Sequence, residues 1–326
     1  MLLYYALGGG LGHITRSIAV LKKIDPALCP ARLLVSSSHA PMAAAECPCP
    51  FDILPERVMS SRKEYLAYLS RYLAAYQVDS VLLDTFPLGL VGEWAAPGLS
   101  SIPRFLLARY LKWDAYQTSL PSIAGQMPAN TLAIEELAPE YHAFLRQGGP
   151  VEELSAPIIA DRTRTADRAH TMVPESSGAT GYSDATGYSD QWVVVHSGPE
   201  EELQALVEMA AGLMRRHGCP DQKPAVIHPA SGIYPADSLL QQYRHVVCGT
   251  GYNMAAYSLS GNPGQQYFFM PFKRRFDDQH LRFERLMAGQ WLQPPATGAE
   301  IAAAWITAAA GGSARTLPGA APLTGY

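Results

Sequence analysis

One local pattern occurs twice in this 326-residue chain, about 240 residues apart, and it narrows the folds open to the chain. Each copy is a short apolar run, then a glycine turn, then apolar residues at helical spacing. In the first, residues 2–7 (LLYYAL) run into Gly8-Gly9-Gly10-Leu11-Gly12. A helix is expected over 15–23, with Ile18, Ala19 and Leu21 on its inner face. In the second, residues 245–248 run into Gly249-Thr250-Gly251, and 252–260 read as a helix. A strand that passes through a glycine turn into a helix opens a β–α unit. Repeated β–α units build parallel sheets covered on both faces.

The rest of the chain keeps this alternation. Residues 32–36, 80–83 and 102–107 read as strands and 62–76 as a helix carrying Tyr65, Leu66, Leu69, Tyr72 and Leu73 on one face. The pattern weakens over 139–190, where the hexapeptide ATGYSD occurs twice in succession (179–184 and 185–190) among small polar residues, the composition of a linker. It then resumes with strands at 191–196, 224–227, 245–248 and 266–270 and helices at 199–216, 236–242, 252–260, 277–288 and 299–310. The chain therefore reads as an N-terminal Rossmann-like domain over 1–165, a linker over 166–191 and a C-terminal domain over 192–326 whose tail frays from about 311. Two doubly wound domains of this kind are expected to face a central cleft at the C-terminal ends of their strands.

Composition removes several function classes. A hydrophobic share of 48% supports a full core, and a net charge of −4 without a dense Lys/Arg block gives no electrostatic basis for a nucleic-acid partner. No segment reaches the ~18–20 apolar residues of a membrane span. The N-terminal apolar run lacks a basic flank and breaks into glycines, as a buried strand does and a signal peptide does not. Five cysteines at irregular spacing fit a reducing, cytoplasmic setting better than a disulfide framework. Cys47-Pro48-Cys49 has no companion ligands in the sequence, so no metal is expected.

The chemistry concentrates at the two glycine turns. His13 stands where a helix N-terminus favours its neutral form, the form a general base needs. Asp84 ends a buried strand and could orient that imidazole; the plain alternatives are a satisfied core histidine and a turn-capping aspartate. The second turn, Gly249-Thr250-Gly251-Tyr252-Asn253, opens a helix whose free N–H groups suit a diphosphate. Downstream, Lys273, Arg274 and Arg275 carry charge a phosphate could neutralise. Asp278 and Gln279 open another helix, from which they could bond sugar hydroxyls or simply cap it.

Together these residues resemble glycosyltransferase family 28, which includes the peptidoglycan N-acetylglucosaminyl transferase. GGGLGHITRSIAV is similar to that family's glycine-rich N-terminal motif, and CGTGYNMAAYSLSGNPGQQYFFMPFKRRFDDQHLRFERL to its donor-binding signature. The run from Val193 to Pro199, with Ser197 and Gly198, stands where relatives begin the C-terminal domain. The resemblance implies a GT-B fold and inverting transfer from a nucleotide-diphosphate sugar, UDP- or dTDP-linked, to a hydroxyl or amine. The acceptor would be a small molecule or lipid-linked, which leaves room for peripheral membrane contact. It implies His13 as the base, Asp84 as its support, and Gly10, Gly12, Ser197, Gly198, Gly249, Thr250, Gly251, Tyr252, Asn253, Asp278 and Gln279 as donor-binding residues. No obligatory cofactor is implied, and the oligomeric state stays open. One position departs: where relatives carry a ribose-binding Glu, this chain has Tyr257. That keeps two alternatives in view, a catalytically silent nucleotide-sugar-binding protein and a nucleotide-sugar epimerase or hydrolase.

Overall fold

The computed structural model describes residues 1–121, 127–154, 156–159, 189–260, 264–291 and 298–311. They fall into two units: Met1–Ile158 with Arg274–Asp278 and the chain from Trp291, and Ile159–Lys273 with Gln279–Gln290. Most of the 166–191 segment, including both ATGYSD copies up to residue 188, and the tail beyond 311 lie outside the described residues.

The first unit is built on a seven-stranded parallel sheet in the order β3-β2-β1-β4-β5-β6-β7. The strands are β1 Leu2–Ala6, β2 Ala31–Val35, β3 Phe51–Ile53, β4 Ser80–Asp84, β5 Arg104–Ala108, β6 Asn130–Ala133 and β7 Val151–Glu153. β1, β4 and β5 are buried at every position, as strands covered on both faces must be. Each Leu or Val buried there contributes about 1.5–3 kcal/mol. Strand order reverses beside β1, which pairs with β2 on one side and β4 on the other. Residues leaving the carboxyl ends of β1 and β4 therefore meet, although 71 positions separate His13 from Asp84.

Two differences from the sequence reading matter for the site. The helix expected at 15–23 spans Leu11–Leu21, with Gly10 as its N-cap in extended conformation (φ −110°, ψ 173°). Apolar periodicity starts only at Ile14, so the glycine-rich first turn was invisible to it. Gly12 and His13 thus lie inside the helix and not in the loop before it. Secondly, the Arg274–Asp278 segment and the helix Gly298–Ala310 count with the first unit, whereas sequence order alone assigns both to 192–326. The terminal helix packs on the Leu11–Leu21 helix. Trp305 Nε1 donates to Glu152 at 2.8 Å and Lys23 pairs with Glu300 at 2.9 Å.

The second unit has a four-stranded parallel sheet in the order β11-β10-β8-β9. Its strands are β8 Ser189–Val195, β9 Ala225–Ile227, β10 Tyr243–Gly249 and β11 Gln266–Met270. Alternate residues of β8 and β10 feed separate cores: Trp192, Val194 and Val247 on one face, Val193, Val195, Val246 and Cys248 on the other. Here the order reverses between β8 and β10, and the Ser197-Gly198 and Gly249–Gly251 turns leave that point. No described helix is long and apolar enough to cross a membrane.

The loop after β4 is fixed by a buried carboxylate. Glu93 accepts from Tyr5 Oη at 2.5 Å, Tyr65 Oη at 3.1 Å, Leu90 N at 3.1 Å and Val91 N at 2.9 Å. Gly89 sits against it at φ +84°, and a Cβ there would lie 2.1 Å from the Glu93 carboxyl carbon. Gly89→Ala combines that clash with left-handed strain, and we expect it to lower stability by about 1–3 kcal/mol in urea unfolding.

Candidate functional site

His13 is delivered by the first turn of the Leu11–Leu21 helix and Asp84 by the last residue of β4. His13 Nδ1 lies 2.7 Å from Asp84 Oδ2. Asp84 has no side-chain exposure and also takes a forked interaction from the equally buried Arg16, whose Nη2 reaches Oδ1 at 2.8 Å and Oδ2 at 2.7 Å and whose Nε reaches Oδ1 at 3.1 Å. Burial pushes the Asp84 carboxyl up, but Arg16 and His13 outweigh it and hold the group below the usual carboxylate range. Burial lowers His13 against the opposing pull of Asp84, and Arg109 and Arg16 add to the lowering. An ionised Asp84 beside a neutral imidazole puts the proton on Nδ1 and the lone pair on Nε2.

The surroundings hold that geometry. A Cβ on Gly8 would stand 2.5 Å from His13 Cδ2 and 2.7 Å from Nε2, so the ring needs a bare backbone beneath it. Ser36 Oγ accepts from Gly8 N at 3.0 Å, and Ser37 Oγ donates to Gly9 O at 3.2 Å. The Phe86 ring stacks on His13 at 6.1 Å and meets Tyr116 at 5.6 Å and Phe276 at 5.7 Å. Phe276 belongs to the returning Arg274–Asp278 segment, which is tied down by Lys112 N to Phe276 O at 2.7 Å and by an Arg109–Asp277 ion pair at 3.2 Å. Thr85, next to Asp84, has φ +77°, a left-handed conformation that is costly for a β-branched residue. Strain of this kind collects at functional sites. Arg16, three positions after His13 on one helix face, is the partner that spacing could have disclosed; nothing in the sequence discloses Thr85.

In the second unit, Gly251 caps the helix Tyr252–Leu259 in extended conformation without a side-chain cap hydrogen bond. Thr250 before it is fully buried, and its Oγ1 has no hydrogen-bond partner among the described residues. The turn is pinned from below: the wholly buried Arg282 donates Nη1 to Thr250 O at 3.0 Å. Three residues earlier on the Gln279–Met287 helix, Gln279 Oε1 accepts from Phe272 N at 3.0 Å. Gln279 thus braces the turn after β11. Its amide oxygen, one of the atoms expected to meet a sugar, is already engaged. Asp278 immediately precedes this helix, and Asn253 and Tyr252 stand in the first turn of the other.

Ser197 and Gly198 follow β8 beside a second histidine–carboxylate pair that the sequence did not reveal. His196 Nε2 lies 2.9 Å from Glu202 Oε2, and a Cβ on Gly198 would strike both side chains. His228 Nε2 reaches Gly198 O at 3.2 Å. Of the sequence-predicted residues, Gly10, Gly12, His13, Asp84 and Asp278 thus belong to the first unit. Ser197, Gly198, Gly249, Thr250, Gly251, Tyr252, Asn253 and Gln279 belong to the second. Tyr257 packs in the core with Val193, Ile227, Leu240 and Val246, and the Tyr252–Leu259 helix carries no acidic residue.

No protein-family model matches this chain, and no curated protein matches it in sequence. Solved structures do match in fold. The UDP-GlcNAc 2-epimerase of Neisseria meningitidis bound to UDP-GlcNAc superposes with a TM-score of 0.55 at 11% identity, covering 94% of this chain and 91% of that one. The UDP-GlcNAc 2-epimerase of Methanocaldococcus jannaschii, in complex with UDP-GlcNAc and UDP, gives 0.52 at 10% identity, covering 94% and 99%. The spinosyn rhamnosyltransferase SpnG gives 0.46 at 13%, covering 88% and 84%. The fold is GT-B. Family 28 in particular is not singled out.

The buried position of Tyr257 generates a test. Tyr257→Glu, which writes in the residue of family 28, places a carboxylate in an apolar core. We expect a loss of roughly 3 kcal/mol or more in urea unfolding and no gain in nucleotide affinity by calorimetry.

Proposed function

We propose that this protein acts on a nucleotide-diphosphate sugar as an inverting glycosyltransferase, with His13 as general base. The observation that carries the reading is the His13–Asp84 contact of 2.7 Å at the strand-order reversal, which leaves Nε2 with no partner among the described residues. In the proposed step, Nε2 takes the proton from an acceptor hydroxyl or amine. The acceptor atom forms its bond to the anomeric carbon as the bond from that carbon to the diphosphate oxygen breaks. Asp84 stays ionised and stabilises the imidazolium. The nucleoside diphosphate departs as an anion, a charge that a helix N-terminus such as that of Tyr252–Leu259 is suited to bind. Support for the substrate class comes from that helix terminus and from the fold shared with proteins that hold UDP-GlcNAc.

A second reading, epimerisation or hydrolysis of the nucleotide sugar, is favoured by the His196–Glu202 pair, because such chemistry uses acid and base groups without any acceptor. One experiment separates the two. The chain is given UDP- and dTDP-sugars with and without a panel of hydroxyl and amine acceptors, and nucleotide, free sugar and epimer are resolved by chromatography. Transfer predicts nucleoside diphosphate release only with an acceptor, and His13→Ala should lower it by ~10²–10⁴-fold with unchanged nucleotide affinity. Release or epimer without acceptor supports the second reading. Binding without turnover under every condition supports a silent binding protein.

The pH dependence follows from the charges. His13 titrates below its ordinary value near 6.5, so the acidic limb of turnover should lie below that pH. Asp84 raises His13, so Asp84→Asn should move the limb to still lower pH while slowing turnover. The depressed Asp84 also gives stability that is complete above its unfolded pKa near 3.9 and fades as pH falls through the folded value. Acid unfolding of Asp84→Asn should lack that component.

A further inference from the structure

Away from the glycine turns, Cys47-Pro48-Cys49 connects the short 3₁₀ helix Ala40–Glu46 to β3. The two Sγ atoms are 3.6 Å apart, within reach of an S–H···S hydrogen bond. Both side chains are partly exposed, whereas Cys29 and Cys248 are buried. Cys219, also partly exposed, donates to the His217 carbonyl at 3.7 Å and provides a thiol of different surroundings in the same molecule. Among the described residues no group of three or more His, Cys, Asp or Glu side chains could hold a metal ion, so the pair lacks the further ligands a zinc site needs.

We propose that Cys47 and Cys49 form a thiol–disulfide exchange site that reacts with small disulfides of the glutathione type. The two thiols are chemically unequal. The hydrogen bond with Cys49, with a smaller contribution from Lys22, lowers Cys47 against the raising effect of burial, while the same hydrogen bond and burial raise Cys49. Cys47 is thus the attacking group and Cys49 the resolving one. Lys22 Nζ is itself 2.8 Å from Glu46, and Arg32, on the Cys49 side, is 2.5 Å from Asp52, so the positive field at the pair is partly neutralised.

The Cys47 thiolate attacks one sulfur of the incoming disulfide and expels one small thiolate, leaving a mixed disulfide. Cys49 then gives up its proton and attacks Cys47 Sγ, expelling the second small thiolate, which takes that proton. Two protein thiols are oxidised by two electrons and one small disulfide is reduced to two thiols. A disulfide across a single intervening residue closes a small, strained ring, which makes it readily reducible and the reaction reversible.

The test uses the reduced full chain incubated with glutathione disulfide, quenched in acid, alkylated with N-ethylmaleimide and mapped by peptide mass spectrometry. The expected result is loss of two hydrogens and of both alkylation sites in the peptide holding Cys47 and Cys49, before Cys219 reacts, with full return on adding excess reduced glutathione. Cys49→Ser should accumulate a glutathione adduct on Cys47, and Cys47→Ser should react more slowly. Wild-type protein overturns the proposal if both thiols stay alkylatable, if each only gains glutathione, or if they oxidise no sooner than Cys219. Isolation of the native chain with a metal ion held through both thiols also overturns it.

Discussion

The buried carboxylate of Asp84 is the constraint on which the first unit's candidate site depends. An unpaired charge at that depth would cost several kcal/mol, and removing one partner of such a group typically costs about 3–5 kcal/mol. Arg16 and His13 together satisfy it, and both come from the first turns of one helix. That helix can bring them there only if it begins at Gly10. The imidazole can lie flat there only if Gly8 carries no side chain. Turning the chain away directly after Asp84 puts Thr85 at φ +77°. The glycines, the early helix start and the strained threonine are consequences of holding one carboxylate in one place. The salt bridge is thus better evidence of a fixed geometry than of net stability.

The second unit solves a related problem with less charge. A glycine turn has few side chains of its own to keep it in shape. The Gln279–Met287 helix supplies that shape from behind: Gln279 and Arg282, three residues apart on one face, hold the turns after β11 and β10. A motif that in sequence looks like sugar recognition is here at least partly scaffold. Gln279 Oε1 and Arg282 Nη1 face main-chain groups of the turns they brace.

Much of this architecture was legible before any coordinates, because parallel sheets covered on both faces write long apolar runs into their strands. β11 was read to its exact bounds, 266–270, and β4 and β10 within a few residues. The short strands β3, β6 and β7 were not, although the equally short β9 was. The pairing of His13 with Asp84 was legible because both stand at strand-to-loop transitions of neighbouring β–α units. Arg16, Thr85, Glu93 and the His196–Glu202 pair were not, because their meaning lies in three-dimensional contacts and backbone angles. Tyr257, which departs from the ribose-binding Glu of the family motif, is turned by its helix into the core, a placement that the motif alone does not disclose.

The two histidine–carboxylate pairs are not equivalent, and the difference bears on which chemistry each can serve. Glu202 stands in the first turn of the Glu200–Arg216 helix, retains 18% side-chain exposure and holds His196 through Nε2. Asp84 is wholly buried, held by Arg16 on both oxygens, and holds His13 through Nδ1. Bonding through Nδ1 leaves the outer ring nitrogen, Nε2, as the proton acceptor, whereas bonding through Nε2 leaves only the nitrogen nearer the backbone, which at His196 faces the Gly249 turn. A proton taken at His13 would also be stabilised by a carboxylate that water barely screens. On these grounds His13 is the better-placed base, and His196 is better suited to shaping the turn beside Gly198 and Gly249.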